Sequence, residues 1–249
     1  MQQSLLRGIK AIVFDLDNTL IDHAFAEKEA MMRVLAAYTE HTQLGELFRS
    51  TTAPFLAAYR RVNETLWLDF AFRRISGEEL KWMRFAKTLQ TQVPSLTEAE
   101  AITLGKEMGA EYMRLYREHW RVLEGANALL DILKDRFKLG VITNGFTEQQ
   151  RGKLAQFAWQ DLFHTVVLSE EVGVMKPHRE IFTIAEKQLE CLPEELLYVG
   201  DNYVSDIEGA HTAGWRTVWL QQEKIEKPES LATACVQSLP ELQELLKHG

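Results

Sequence analysis

Two aspartates separated by one residue follow a short apolar run near the start of the chain. The run, residues 11–14, ends at Asp15 and Asp17. A short continuous apolar run predicts a strand buried on both faces, and open α/β sheets bind their ligands at the carboxyl ends of such strands. Side chains two positions apart on an extended chain share a face, so we expect the aspartates to converge. Their charges would repel without a cation or a shared proton.

Polar side chains also follow later predicted strands. Thr143 and Asn144 follow the second, Asp201 follows the fourth, and Lys176 lies in the connection between the third and fourth. Because the carboxyl ends of parallel strands lie at one edge of a sheet, we expect these groups and the two aspartates to share one site. Oxygen ligands without histidine or cysteine are typical of magnesium sites.

The elements that must position these residues fall into two kinds of sequence. From residue 122 onwards, four predicted strands alternate with amphipathic helices. Together with the first strand before Asp15 they make five, which predicts an α/β fold with a Rossmann-like parallel sheet. Residues 23–121 instead show helical periodicity, and a block of that length is too long for a loop. We therefore predict an α/β core domain from residues 1–22 and 122–249, with residues 23–121 inserted after the first strand as a helical cap domain.

Three segments carry the signal of a helix start. A serine or threonine followed three positions later by glutamate or glutamine predicts a capping box, in which each side chain binds the other residue's main-chain amide. This pattern occurs at residues 76–79, 97–100 and 147–150. The first two predict helices of the cap, and the third predicts the helix after the second core strand.

Composition excludes several classes of protein. The chain has 249 residues, a net charge of −8 and 46% hydrophobic residues, which is typical of a globular protein with a substantial core. The negative charge argues against binding to a nucleic acid polymer. No apolar stretch reaches membrane-spanning length, and the amino end does not match a signal peptide. With two cysteines and no zinc-type spacing, we expect a reduced, cytoplasmic protein.

Four motifs in order resemble those of the haloacid dehalogenase superfamily. They are Phe-Asp15-Leu-Asp17-Asn-Thr-Leu, Ile-Thr143-Asn-Gly, Met-Lys176-Pro and Gly-Asp201-Asn-Tyr-Val-Ser-Asp206. The helical insertion after the first motif is similar to the C1-type cap of that superfamily. The resemblance covers the whole predicted core and implies phosphoryl-transfer chemistry.

The resemblance implies a role for each carboxylate. Asp15 would attack phosphorus and form an aspartyl-phosphate. Asp17 would protonate the leaving oxygen and then activate water, and we expect crowding beside Asp15 to raise the pKa of Asp17 for this double use. A magnesium ion would be held by Asp15, by the main-chain carbonyl of Asp17 and by Asp201. Asp206 would lie behind them and orient Lys176 or a water on the metal.

The remaining motif residues would bind the phosphoryl group. The Thr143 hydroxyl and the Asn144 amide would hold its oxygens, and Lys176 would pair with both the nucleophile and the phosphoryl group. His23 and His178 lie near motifs, and we interpret both as bystanders.

A narrower resemblance concerns the substrate. Residues 62–70 of the cap, together with residues 142–147 and 169–174, resemble the house-cleaning pyrimidine 5'-nucleotidases of this superfamily. The resemblance implies hydrolysis of nucleoside monophosphates or their deoxy forms. Trp67 and Asp69 are the predicted cap contacts to the substrate.

Other functions stay open at this point. The same residues suit a small sugar-phosphate or phosphoglycolate phosphatase. A 2-haloacid dehalogenase would need no second aspartate and no magnesium, and a phosphomutase would need a bisphosphate activator. A phosphate-binding regulatory module would lack part of the catalytic set, which is complete here. We expect a monomer or a homodimer.

Overall fold

The computed structural model describes residues 5–50, 52–221 and 230–247, so both ends of the predicted core domain lie outside the described residues. The chain forms two compact units. One comprises the described parts of Met1–His23 and Arg121–Gly249, and the other comprises Ala24–Trp120. The role of the second unit as a cap stays a prediction. Among the described residues, no helix combines the length and the apolar character that crossing a membrane requires.

The first unit contains a six-stranded parallel sheet in the order β3-β2-β1-β4-β5-β6. Its strands are β1 (Ala11–Phe14), β2 (Lys138–Thr143), β3 (Thr165–Leu168), β4 (Leu196–Gly200), β5 (Arg216–Leu220) and β6 (Ala234–Val236). The α/β prediction is confirmed. The prediction of five strands is wrong, because β6 has three residues and is too short for a periodic signal. Strand β1 lies in the middle of the sheet, between β2 and β4.

Helices cover both faces of this sheet. They are α6 (Ala126–Leu133), α7 (Thr147–Gln156), α8 (Ser169–Val172), α9 (Arg179–Leu189), α10 (Gly209–Thr212) and α11 (Leu239–Lys247), with a π-helical turn at Tyr203–Glu208 and a 3₁₀ turn at Pro193–Glu195. Ile12 and Phe14 of β1 belong to the core formed with α6 and α11, whereas Ala11 and Val13 belong to the core formed with α9 and α10. Successive side chains of a strand point to opposite faces, which explains why all four residues of β1 are apolar.

The second unit is helical. Its helices are α1 (His23–Ala37, which begins one residue before the unit), α2 (Gly45–Ser50), α3 (Ala53–Ala71), α4 (Gly77–Gln92) and α5 (Glu98–Glu118). Buried aromatic side chains fill its interior, among them Phe55, Tyr59, Phe85 and Tyr112. Helices α4 and α5 approach closely at Gly105, where an added Cβ atom would lie 2.6 Å from the Cβ atom of Ala86.

Both capping boxes predicted for this unit are confirmed. The main-chain amide of Glu79 donates to Ser76 Oγ at 3.2 Å, and the amide of Ser76 donates to Glu79 Oε2 at 2.7 Å. Thr97 and Glu100 form the same pair of bonds at the start of α5. Each box satisfies main-chain amides that a helix start leaves without intrahelical acceptors.

Candidate active site

Asp15 lies directly after β1 and is 6% exposed. The Nζ atom of Lys176 donates to Asp15 Oδ1 at 2.6 Å, to Asp206 Oδ1 at 2.7 Å and to the Tyr198 hydroxyl at 2.9 Å. Burial lowers the pKa of Lys176, but the attraction of both carboxylates outweighs burial and raises it well above the ordinary value. The structure therefore brings together three predicted site residues, Asp15, Asp206 and the charged Lys176.

Three carboxylates form a buried acidic cluster. Asp15, Asp201 and Asp206 each offer an oxygen that lies within 4.8 Å of the other two. Burial raises the pKa of Asp15 well above its ordinary value and that of Asp201 to about 7; repulsion from neighbouring carboxylates adds to both shifts, and Lys176 opposes them. A bound cation would relieve the repulsion between these carboxylates. Hard oxygen donors with excess negative charge fit a magnesium ion.

Asp206 differs from the other two carboxylates because hydrogen bonds already occupy both of its oxygens. Oδ1 accepts from Lys176 and from Ser205 Oγ, and Oδ2 accepts from the Asn202 amide at 2.9 Å. An added Cβ atom at Gly200 would lie 2.4 Å from Asp206 Oδ2, so the carboxylate approaches the end of β4 because residue 200 is glycine. These contacts suit a group that orients Lys176 from behind.

The Asp17 carboxylate is bound by helix α7. Lys153 Nζ donates to Oδ1 at 2.5 Å, and Gln150 Nε2 donates to Oδ2 at 2.8 Å. Burial raises the pKa of Asp17, but the attraction of Lys153 and His23 and the two hydrogen bonds together lower it to about 2. The expectation that crowding by Asp15 raises this pKa is therefore wrong, because a buried ammonium lies against the carboxylate. The predicted metal contact through the main-chain carbonyl of Asp17 stays a prediction.

The second motif places two polar groups at the end of β2. Thr143 is 1% exposed, and its Oγ1 accepts from Gln150 Nε2 at 3.1 Å and from the Gly145 amide at 3.4 Å. The Asn144 side chain binds the main chain of Lys176 twice, since its Nδ2 donates to the carbonyl at 3.0 Å and its Oδ1 accepts from the amide at 2.9 Å. Asn144 thus holds in place the segment that carries the lysine, a role additional to its predicted phosphate contact.

The predicted capping box at Thr147–Gln150 is wrong. Phe146 precedes α7 and forms no side-chain cap, while the Thr147 amide donates to Glu170 Oε2 at 2.7 Å. Gln150 turns its amide group to Asp17 and Thr143 instead.

The predicted site did not include Gln150, Lys153 and Tyr198. The helical spacing of three between Gln150 and Lys153, directly after the second motif, is the signal in the sequence that they share a helix face.

The histidines near the motifs differ. His23 begins α1, and its attraction is one of the causes that lower the pKa of Asp17; its interpretation as a bystander stays a prediction. His178 precedes α9, and its main-chain amide donates to the Met175 carbonyl at 2.9 Å. The structure shows a main-chain role for His178.

The two predicted cap contacts lie near the end of α3 in the helical unit. Trp67 is half-buried and meets Phe70 edge to face, with ring centres 5.5 Å apart. Asp69 pairs with Arg74 at 3.0 Å across a largely exposed surface. Their contact with substrate stays a prediction.

Known proteins resemble this chain over most of its length. A family model described as haloacid dehalogenase-like hydrolase matches residues 9–214. The chain is 34% identical over 243 residues to pyrimidine 5'-nucleotidase YjjG of Escherichia coli (strain K12), covering 95% of this chain and 98% of that one. It is 31% identical over 226 residues to a glyceraldehyde 3-phosphate phosphatase of Methanopyrus kandleri, covering 89% and 88%.

A solved structure shows the same fold. The magnesium-bound structure of the putative hydrolase YfnB from Bacillus subtilis matches with a TM-score of 0.73 at 27% identity, covering 96% of this chain and 98% of that one. The similarity therefore extends over both compact units in the chain.

Proposed function

The chain belongs to the haloacid dehalogenase-like hydrolases, and we propose that it is a magnesium-dependent phosphatase of nucleoside 5'-monophosphates. The observation that carries this proposal is the position of the Asp15 carboxylate. It lies buried at the end of the central strand, accepts a hydrogen bond from Lys176 and lies within 4.8 Å of the Asp201 and Asp206 carboxylates. A nucleophilic carboxylate beside a lysine and a cation site suits attack on an anionic phosphoryl group.

Two displacements at phosphorus account for hydrolysis. In the first, an Asp15 oxygen bonds to phosphorus, the ester bond breaks, and Asp17 gives a proton to the leaving oxygen. In the second, water attacks the phosphorus of the aspartyl-phosphate and Asp17 takes a proton from the water. The bond between Asp15 and phosphorus breaks, which releases inorganic phosphate and restores the Asp15 carboxylate. The pKa of Asp17 is low before substrate binds, so Asp17 must first take a proton from solvent, which the negative charge of a bound phosphoryl group favours.

The other site residues act on charge and position. The Lys176 ammonium, already bound to Asp15, stabilises the negative charge on the phosphoryl oxygens during transfer. The Thr143 hydroxyl and the Asn144 amide hold those oxygens in line with Asp15. Asp206 keeps the lysine directed at the nucleophile through its 2.7 Å bond.

The proposed metal ligands are the carboxylates of Asp15 and Asp201 and the main-chain carbonyl of Asp17. Burial, with added repulsion between neighbouring carboxylates, raises the pKa of Asp15 and Asp201, and a cation at this position would relieve that repulsion. When bound, magnesium supplies positive charge that offsets the repulsion between the nucleophile and the phosphoryl group.

Two substrate classes have support. The nucleotide is favoured by residues 62–70 of the helical unit, which resemble pyrimidine 5'-nucleotidases, and by the relative of that name at 34% identity. A small sugar phosphate is the second candidate, since a glyceraldehyde 3-phosphate phosphatase is 31% identical.

Phosphate release from a panel of substrates tests the proposal. The panel contains pyrimidine and purine nucleoside monophosphates, glyceraldehyde 3-phosphate and phosphoglycolate, each with magnesium and with a chelator. We expect magnesium-dependent release that is fastest with a pyrimidine nucleotide. Preference for the small phosphates would transfer the assignment to the second candidate, and release unaffected by the chelator would contradict the metal.

Asp15→Asn tests the nucleophile. The amide keeps the size of the side chain but cannot form an acyl phosphate, so we expect turnover to disappear while the protein stays folded. Incubation with substrate followed by an acid quench should trap phosphate on the wild-type protein and none on the variant. Wild-type turnover in Asp15→Asn would exclude the aspartyl-phosphate.

A further inference from the structure

Helix α7 brings two side chains against the proposed proton-transfer group. Gln150 and Lys153, three positions apart, lie on one face of the helix. Each donates to a different oxygen of the Asp17 carboxylate, at 2.8 and 2.5 Å. Both side chains lie outside the four motifs and take no part in the displacements at phosphorus described above.

The two donor side chains are buried, which leaves the Asp17 carboxylate little freedom to rotate. The Lys153 side chain is fully buried and Gln150 is 1% exposed, whereas the Asp17 side chain is 24% exposed. A buried ammonium is costly unless it is paired, and here it pairs with the carboxylate. An added Cβ atom at Gly145 would lie 1.7 Å from Gln150 Nε2, so glycine at that position leaves the space that Gln150 occupies.

Gln150 also connects Asp17 to the phosphate-binding edge. Its Nε2 atom donates both to Asp17 Oδ2 and to Thr143 Oγ1, the second at 3.1 Å. One amide group therefore sets the distance between the proton-transfer carboxylate and the hydroxyl proposed to hold the phosphoryl group. A carboxylate held at both oxygens by one helix has a fixed rotamer, which is the condition for transfer along a short, aligned path.

We propose that Gln150 and Lys153 are positioning residues that hold the Asp17 carboxylate in register with Thr143 for proton transfer. This inference rests on the proposed phosphatase function. Lys153 also offsets the charge that Asp17 adds beside Asp15, since like carboxylates repel in a buried site. Loss of either donor leaves Asp17 free to turn away from the reacting oxygen while Asp15 and Lys176 stay in place.

The leaving group separates a positioning role from general damage to the site. An alkoxide from a nucleoside leaves poorly without a proton, whereas p-nitrophenolate leaves readily without one. If Lys153 acts through Asp17, its loss slows phosphorylation of Asp15 by a nucleotide and spares phosphorylation by p-nitrophenyl phosphate. A distorted phosphate site slows both.

The experiment uses Lys153→Met and Gln150→Leu, with Lys138→Met as the matched control. Lys138 also donates from a part-buried position, to the Leu189 carbonyl at 2.7 Å, from the opposite end of β2. We expect kcat for a nucleoside monophosphate to fall at least about tenfold in the first two variants, with KM nearly unchanged. This loss is a fraction of the roughly 10²–10⁴-fold that general acid–base catalysis contributes. The control should keep both constants.

Rapid mixing with p-nitrophenyl phosphate gives the second readout. The variants should release the first equivalent of p-nitrophenolate at nearly the wild-type rate and then turn over slowly, because water attack still needs Asp17. Lys153→Arg should recover part of the nucleotide kcat. Equal slowing of the first turnover with both substrates, or no slowing with either, overturns the inference.

The outcomes separate this inference from the proposed function. A wild-type protein that hydrolyses neither substrate contradicts the phosphatase itself, and Asp15→Asn that still releases p-nitrophenolate contradicts its aspartyl-phosphate. Active wild type with a uniform loss in the variants contradicts only the positioning role. Thermal unfolding checks folding, and Gln150→Leu and Lys153→Arg decide the question if Lys153→Met does not fold.

Discussion

The ammonium of Lys176 is bound to three oxygen atoms in the interior of the core. It donates to Asp15, Asp206 and Tyr198, and the Asn144 side chain binds its main chain on both sides. Such an arrangement holds the lysine charged and directed at the nucleophile, at the cost of burying several polar groups. Its stability depends on every partner being present.

Lys176→Met should destabilise the protein by about 3–5 kcal/mol at neutral pH, the usual cost of leaving one side of a buried ion pair alone. Loss of the lysine removes the attraction that opposes burial at Asp15, so the folded-state pKa of Asp15 rises further above its unfolded-state value. The folded state then binds more protons, so the loss should shrink as the pH falls. Urea unfolding in a chelator, at neutral and mildly acidic pH, measures it.

Lys138→Met serves as the control in that series, because its ammonium binds a main-chain carbonyl and no carboxylate. A loss for Lys176→Met that equals the control, or that is the same at both pH values, would contradict the ion-pair account. Turnover of Lys176→Met should be lost in either case, since the nucleophile loses its cationic partner.

At the scale of elements, α7 shows how a helix start is misread. Thr147 and Gln150 have the spacing of a capping box, but Gln150 has two acceptors at the edge of the sheet and binds those. The boxes at Ser76 and Thr97 form with glutamates that are exposed. Tertiary acceptors therefore decide whether a local pattern is used locally.

Ser76→Ala should destabilise α4 by about 1 kcal/mol, the usual cost of losing a helix cap. Hydrogen bonds from Ser76 lower the pKa of Glu79 below its ordinary value of 4.5. The bond from the main-chain amide has the larger effect and the bond from the hydroxyl the smaller. Because the folded-state pKa is lowered, the ionised glutamate stabilises the protein at pH values above the ordinary pKa. This stabilisation is lost as the pH falls through the lowered pKa. Hydrogen exchange of amides in α4 measures the effect.

Ser76→Thr keeps a hydroxyl at the cap and is the control, which we expect to exchange like the wild type. The difference between Ser76→Ala and Ser76→Thr should diminish in acid, where Glu79 is protonated. A difference that persists unchanged in acid would show that the glutamate takes no part.

At the scale of the whole molecule, the chain leaves the sheet after β1 and returns to it only after the helical unit. That unit, Ala24–Trp120, has its own aromatic interior, and its α3 ends in a mixture of half-buried and exposed aromatic residues. The division assigns the chemistry to the core and leaves the helical unit as the place where substrate preference is proposed to be set.

Trp67→Ala should raise KM for a nucleoside monophosphate severalfold and leave KM for p-nitrophenyl phosphate nearly unchanged, because stacking on a base is worth about 1–3 kcal/mol. Phe72→Ala is the matched control, since Phe72 is an aromatic residue directly after α3 that is 64% exposed. Equal changes in KM for both substrates would assign Trp67 to packing alone.

The sequence by itself determined the α/β fold and most members of the site. Asp15, Thr143 and Asp201 are recognisable because each follows an apolar run of strand length, and parallel strands must end at one edge. The tertiary structure alone decided which groups surround them. Gln150 and Lys153 look like ordinary residues of a solvated helix, and their burial depends on where α7 packs. The pKa of Asp17 is low rather than high because the buried ammonium of Lys153, from a distant part of the chain, lies against the carboxylate. No local pattern in the sequence shows this contact.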